Sequence, residues 1–177
     1  MRKVTRAALV LAGSAALIGV TTVPSFAATS ATTPTTVTVD AGVLSITVPA
    51  SAGLSTVLPG QTSTATLDAT VVTDARAGVV NWTATVILPA LTGDAVGSTE
   101  TIITTGATYL ATTATKTGTV TVTPATVITG LATAKPSQAT TAVSGNNSAS
   151  WTATLTVPIP AQVLADTYSG VLTQSVS

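Results

Sequence analysis

Residues 151–157 read Trp-Thr-Ala-Thr-Leu-Thr-Val, so an apolar side chain alternates with a threonine at every step. This period of two is the spacing of a β-strand that buries one face and exposes the other to water. Shorter versions of the alternation occur in Thr36–Val39 and Thr119–Thr123, and the chain contains 41 threonines. The pattern predicts an all-β protein whose surface is kept wet by hydroxyl groups.

An earlier segment repeats this one. Residues 81–86 read Asn-Trp-Thr-Ala-Thr-Val, and residues 150–155 read Ser-Trp-Thr-Ala-Thr-Leu. In a strand, each tryptophan shares one face with the alanine and the last apolar residue, while the two threonines share the opposite face. Because an indole is a large core filler, we expect Trp82 and Trp151 to lie in the core, on equivalent strands of two facing sheets.

Strand signals continue along the chain, separated by turn clusters such as Pro59-Gly60, Lys135-Pro136-Ser137 and Gly145-Asn146-Asn147. Many short strands with such punctuation are typical of a sandwich or a barrel. We expect roughly eight to ten short antiparallel strands and little helix. The predicted strands are Thr36–Val39, Leu44–Val48, Ser63–Thr73, Val79–Leu88, Thr101–Thr104, Thr119–Thr123, Thr140–Val143, Ala149–Val157 and Gly170–Val176.

The N-terminus has the features of a secretory signal peptide. Three cations within the first six residues precede an apolar run over residues 7–20, and Ser25 and Ala27 are the small residues that a signal peptidase recognises. An uncleaved anchor is the alternative, but this run is shorter than the roughly 20 residues that span a bilayer. We therefore predict a signal peptide at 1–27, a flexible stub at 28–35 and a single domain at 36–177, with no membrane span after cleavage.

The charge of the chain argues against a nucleic-acid partner. Six basic and six acidic residues are present, and the signal peptide takes three of the basic ones, which leaves three against six, or about −3. No basic patch remains to displace counterions from a nucleic acid. Only 7% of the residues are charged and the mean hydropathy is +0.59. Such a surface lacks the lysines that commonly protect sheet edges, which favours adhesion or self-association.

The sequence contains few of the residue types that carry out catalysis or bind transition metals. The chain has no histidine and no cysteine, and these residues are the usual general bases, soft nucleophiles and transition-metal ligands. Neither Lys116 nor Lys135 stands in a Ser-x-x-Lys setting. Asp94 and Glu100 offer oxygen ligands for calcium, but their spacing matches no EF-hand loop. We therefore predict no catalytic residues, no metal site and no cofactor.

Three segments carry a resemblance to a known family. Residues 71–78 read Val-Val-Thr-Asp-Ala-Arg-Ala-Gly and are followed by Asn-Trp-Thr-Ala at 81–84; the second segment is 147–157 with its Trp151. The third, 166–176, reads Asp-Thr-Tyr-Ser-Gly-Val-Leu-Thr-Gln-Ser-Val. Together these segments resemble the WxL-type surface proteins of Gram-positive bacteria, in particular their divergent secreted versions in actinobacteria.

The resemblance implies an immunoglobulin-like β-sandwich that is secreted and associates non-covalently with a cell-wall polymer or with other surface proteins. It directs attention to four candidate binding residues, which are Asp74, Arg76, Trp82 and Tyr168. Asp74 and Arg76 flank a turn, where they form either a local ion pair or a polar contact to a glycan or partner. Tyr168 is expected to donate a hydrogen bond to the backbone across a corner, as tyrosines in sandwiches often do.

We therefore expect a secreted, non-catalytic structural or adhesive module of the cell surface or cell wall. One alternative is a self-assembling fibre or pilin-like subunit, in which residues 28–39 add as a strand to another copy. A second alternative is a glycan- or small-ligand-binding module, which predicts a groove lined by exposed aromatic side chains.

Overall fold

The structure, a computed structural model, describes residues 32–40, 42–95 and 99–177. The predicted signal peptide and the first part of the predicted stub lie outside the described residues. The chain divides into two units, and the second, Val39–Ser177, contains all the described strands. In the first unit, the described residues 32–38 are exposed and have no regular secondary structure.

The strand predicted at Thr36–Val39 is not formed. All four residues are exposed and irregular. A strand needs a neighbouring strand for its backbone groups and a packed layer for its apolar face, and none of the described strands pairs with these residues. Val37 and Val39 are consequently 86% and 83% exposed.

The described residues form eleven strands, slightly more than the eight to ten expected, and all pairings are antiparallel. They contain no helix, and therefore none with the length and apolarity that a membrane crossing requires. The strands are β1 (Leu44–Thr47), β2 (Thr62–Asp74), β3 (Thr83–Ile87), β4 (Leu91–Gly93), β5 (Thr101–Ile102), β6 (Thr108–Ala111), β7 (Thr115–Pro124), β8 (Ile128–Thr129), β9 (Lys135–Pro158), β10 (Tyr168–Ser169) and β11 (Thr173–Val176).

The long strand β9 organises the fold. Its first part pairs with β3 and its second part with β2 and β6, while β7 follows the middle of the strand. The turns predicted at residues 135–137 and 145–147 are therefore wrong, because both clusters lie within β9 and form ladder pairs. Ala142 and Gly145 have positive φ angles of 53° and 71°, which bend the strand without ending it.

One eight-stranded sheet forms both layers of the fold. Around the second part of β9 its order is β1-β2-β9-β6, with β8 beyond β6, and around the first part it is β11-β3-β9, while β7 pairs along the middle of β9. A smaller sheet, ordered β10-β4-β5, is separate from both. The architecture is an antiparallel β-sandwich, as the alternation predicts.

The core lies between the layers and contains both tryptophans. Trp82 and Trp151 are 1% and 2% exposed and belong to one hydrophobic cluster. From each indole onward, a buried apolar side chain recurs at every second residue. Both tryptophans therefore lie in the core as predicted, but β3 and β9 belong to one eight-stranded sheet and not to two separate sheets. The buried positions are Ala84, Val86 and Leu88 in the first segment and Ala153, Leu155 and Val157 in the second.

A bulge in β2 changes which side chains face the core. Up to Leu67 the odd-numbered residues are buried, but the register with β9 shifts between Leu67 and Thr70, and from Thr70 onward the even-numbered residues are buried. An extra residue in one strand has this effect because side chains alternate strictly between the two faces. The shift brings Thr70 and Asp74 into the interior.

Candidate functional site

Three of the four predicted binding residues lie together, and the fourth lies elsewhere. Asp74 is the last residue of β2, Arg76 is in the turn that follows, and Trp82 immediately precedes β3. Tyr168 belongs to β10 in the small sheet. The structure therefore presents two separate places to consider.

Asp74 and Arg76 form a two-pronged ion pair. The Nε and Nη2 groups of Arg76 donate to Oδ1 and Oδ2 of Asp74 at 2.9 and 3.1 Å, and the backbone N–H of Arg76 donates to Oδ1 at 3.1 Å. The Asp74 side chain is only 3% exposed, whereas that of Arg76 is 29% exposed. Of the two interpretations offered by the sequence, the local ion pair is the arrangement found.

Asn147 connects this ion pair to the first indole. Trp82 Nε1 donates to Asn147 Oδ1 at 3.1 Å, and Asn147 Nδ2 donates to Asp74 Oδ2 at 3.4 Å. Asn147 is directly opposite Asp74 in the β2–β9 ladder. We call Asp74, Arg76, Trp82 and Asn147 the Asp74 network.

The electrostatics of the Asp74 network favour the charged pair. Hydrogen bonds from the Arg76 side chain lower the pKa of Asp74 below its ordinary value, although burial opposes this effect. The same pair raises the pKa of Arg76. Since Asp74, Trp82 and Asn147 are all buried, the network joins β2, β9 and the start of β3, and only Arg76 is accessible to another molecule.

The second place is an apolar groove beside the small sheet. Two adjoining cavities of about 450 and 400 Å³ lie between residues 48–59 and residues 159–172. The cavities share Leu54, Leu91 and Tyr168 as lining residues. We call them the first and second lobes of the end groove; each has the size of a typical ligand pocket.

The end groove is aliphatic inside and at its edge. Leucines of the core line the first lobe, and Ile102 lines the second. Large apolar side chains also stand exposed at the edge of each lobe. These exposed residues are Val48 and Val171 for the first lobe and Leu58 and Leu164 for the second.

Gln174 of β11 gives the first lobe a fixed polar group. Its Oε1 accepts from Tyr109 OH at 3.1 Å and from Thr70 Oγ1 at 3.3 Å, and Tyr109 OH itself accepts from Trp151 Nε1 at 3.3 Å. An indole N–H can only donate, so the Tyr109 hydroxyl accepts from Trp151 and donates its own hydrogen bond to Gln174. The acceptor on Gln174 must therefore be the amide oxygen.

This relay leaves the Nε2 group of Gln174 without an acceptor among the described residues. Gln174 lines the first lobe. Its hydrogen bonds to Thr70 and Tyr109 fix the orientation of its amide group. A ligand with a carbonyl or hydroxyl oxygen would satisfy the two free hydrogens.

Tyr168 lines both lobes. Its hydroxyl donates to the backbone oxygen of Leu164 at 3.0 Å, so the expected hydrogen bond to the backbone is present, but its acceptor is the residue four positions earlier in the chain. Desolvation raises the pKa of Tyr168, and the negative charges of Glu100 and Asp166 raise it further. The phenol is therefore neutral at physiological pH and adds no charge to the groove.

Ionisable side chains do not form a reactive cluster in the described part of the chain. No three acidic side chains there are placed to hold a metal ion together. Asp94, considered above for calcium, accepts from Ser169 Oγ at 2.6 Å, a bond that ties β10 to the loop after β4.

Comparisons with protein-family models, with curated proteins and with solved structures gave no match. The WxL-type resemblance therefore remains a prediction, and the immunoglobulin-like topology remains one with it.

Sequence reasoning missed the groove and its polar group. In the sequence, Gln174 belongs to the C-terminal segment and nothing marks it as a binding residue. The two lining segments, 48–59 and 159–172, have no periodic pattern. One signal was present: Leu54, Leu58, Val163 and Leu164 are large apolar residues in segments without strand alternation.

Proposed function

We propose that this chain is a secreted, non-catalytic structural or adhesive module of the cell surface, and that it attaches to another protein of the cell surface through the end groove. The observation that carries the proposal is the open aliphatic groove with exposed apolar residues at both lobes. Clustered exposed apolar side chains of this kind mark interaction sites in soluble proteins.

The chemistry of the groove is suited to binding rather than to turnover. Its described lining contains one acidic side chain, Asp166, and otherwise apolar groups, hydroxyls and the amide of Gln174. General acid–base or nucleophilic catalysis needs a base within hydrogen-bond reach of the reacting group, and the described lining supplies no such pair.

The glycan-binding alternative has less support. It depends on exposed aromatic platforms, but both indoles and Tyr109 are buried, and Tyr168 is the one aromatic side chain among the described residues that lines the groove. We therefore do not propose it. The fibre alternative has a specific observation in its favour and is taken up below.

Fractionation of the native organism tests the proposal. The protein should appear in the wall fraction and be released by salt or detergent without digestion of the wall. Lysine substitutions at the exposed edge of the groove, Val171→Lys and Leu164→Lys, should shift it into the culture medium. Val79→Lys is the matched control, because Val79 is 76% exposed and lies outside the groove.

Two results would contradict the proposal. One is recovery of the protein from the cytoplasm. The other is equal wall retention of the groove variants and the Val79→Lys control, since the groove would then play no part in attachment.

A further inference from the structure

The first lobe of the end groove selects for an uncharged occupant. Among the described residues, no formally charged side chain lines this lobe, whereas Asp166 lines the second. A charged ligand would lose its hydration in the first lobe without gaining an opposite charge. The leucines of the first lobe favour aliphatic groups, and the free Nε2 group of Gln174 favours one carbonyl oxygen.

The segment Thr36–Val39 has these properties. It contains no charge, its valines are 86% and 83% exposed, and no described strand pairs with it. In extended conformation Val37 and Val39 point to the same side, roughly 6.8 Å apart along the strand. The first lobe can therefore accept this segment, because its leucines suit the two valine side chains and Gln174 suits a carbonyl group between them.

β11, the strand beside the first lobe, has one ladder partner among the described strands, β3, and β1 lies near β11 without ladder pairing. Gln174, which lines the first lobe, lies within β11. Addition of an extended segment to a free edge gives main-chain hydrogen bonds, while pockets for alternate side chains give specificity.

We propose that a second copy of this chain fills the end groove, and that it does so by laying its Thr36–Val39 segment along β11 with both valines against the leucines of the first lobe. The inference rests on the proposed function, because it names the occupant of the same groove. Donor segment and groove are different surfaces, so the contact is head-to-tail and extends into open chains of copies.

Engineered cysteines give a direct test, since the natural chain has none. Purified Val37→Cys protein is mixed with purified Val171→Cys protein under mild oxidation, and disulfide-linked dimers are quantified. The mixture should give a mixed dimer about tenfold or more above the yield from Val37→Cys with Val79→Cys, because docking raises the effective concentration of the two thiols. Equal yields would overturn the proposal.

A second measurement does not depend on cysteine chemistry. Light scattering after size-exclusion chromatography should show the mass of the natural protein rising with concentration, and Val37→Lys/Val39→Lys should return it to a monomer. Thr36→Lys/Thr38→Lys is the matched control, because its lysines lie on the opposite side of the docked strand. A natural protein that is monomeric at every concentration overturns the inference.

The two proposals fail separately. If Val171→Lys loses wall retention while the purified natural protein stays monomeric, the groove is the attachment site but its occupant is not a second copy. If the protein self-assembles through Val37 and Val39 but never reaches the cell surface, the proposed function fails and the assembly stands.

Discussion

The phenol oxygen of Tyr109 lies 3.1 Å from Oε1 of Gln174, and this bond joins β6 in one layer to β11 in the other. Burial raises the pKa of Tyr109, partly offset by the hydrogen bond from Trp151. The hydroxyl therefore stays protonated over the whole physiological range and keeps donating to Gln174. The hydrogen-bond relay from Trp151 through Tyr109 to Gln174 links the two layers and fixes the orientation of the Gln174 amide in the groove.

Tyr109→Phe should destabilise the protein by about 1–3 kcal/mol, because it leaves the buried Trp151 N–H without an acceptor. Urea denaturation gives the free energy of unfolding. Tyr168→Phe is the matched control, and its loss of an exposed hydrogen bond to Leu164 should stay within about 0.5 kcal/mol. Equal losses in the two variants would mean that the relay contributes nothing specific.

Trp151→Ala should cost about 3–5 kcal/mol, because it removes a fully buried indole and leaves a cavity between the layers. Thr152→Ala, next to it on the exposed face, should change the free energy of unfolding by less than about 0.5 kcal/mol. A melting temperature unaffected by Trp151→Ala would place the ring outside the core and contradict the fold described above.

The sandwich could be predicted from the sequence because its principal strands alternate over many residues. The second half of β9 buries each odd-numbered residue from Asn147 to Val157. Alternation over that length predicts a β-strand with one buried face. The early part of β9 could not be assigned, since its proline, glycine and asparagines are ordinary turn signals. Ladder bonds from β3, β7 and β2 override them.

The candidate sites were predictable only where partners are close in sequence. Asp74 and Arg76 are two residues apart, and their ion pair follows from a turn. Asn147 joins them only because the β2 bulge places it opposite Asp74. The end groove forms where two irregular segments pack. Neither an alternating pattern nor the composition of these segments predicts where they lie in the fold.

Gly118→Ala tests the irregular β7–β9 ladder. Gly118 has φ of 74°, and a Cβ there would collide with the backbone oxygen of Asn146. The substitution should cost about 1–2 kcal/mol or more, since an L-residue is strained in this region even without a collision. Gly53→Ala is the control, because its added Cβ meets no atom within 4 Å; a similar loss there would show that the loss at Gly118 does not come from its φ angle or from the collision.

Acid should weaken the Asp74 network. The pKa of Asp74 in the folded protein is lowered, chiefly by the hydrogen bonds from the Arg76 side chain, so the unfolded chain binds its proton at a higher pH than the folded one. The stability from this carboxylate is therefore fully present above its unfolded pKa, near 3.9, and is lost as the pH falls through the folded value. Urea denaturation between pH 7 and about pH 2 measures the loss.

Asp74→Asn should flatten this acid dependence, because an amide has no proton to gain in the same range. It should also lower stability at pH 7 by about 1–3 kcal/mol, since Arg76 loses its charged acceptor. Asp68→Asn, at an exposed position in the β2 bulge, keeps the network intact and should retain the acid dependence of the natural protein. If Asp74→Asn and the natural protein lose stability in parallel below pH 4, the acid sensitivity arises from other carboxylates and the network is not its cause.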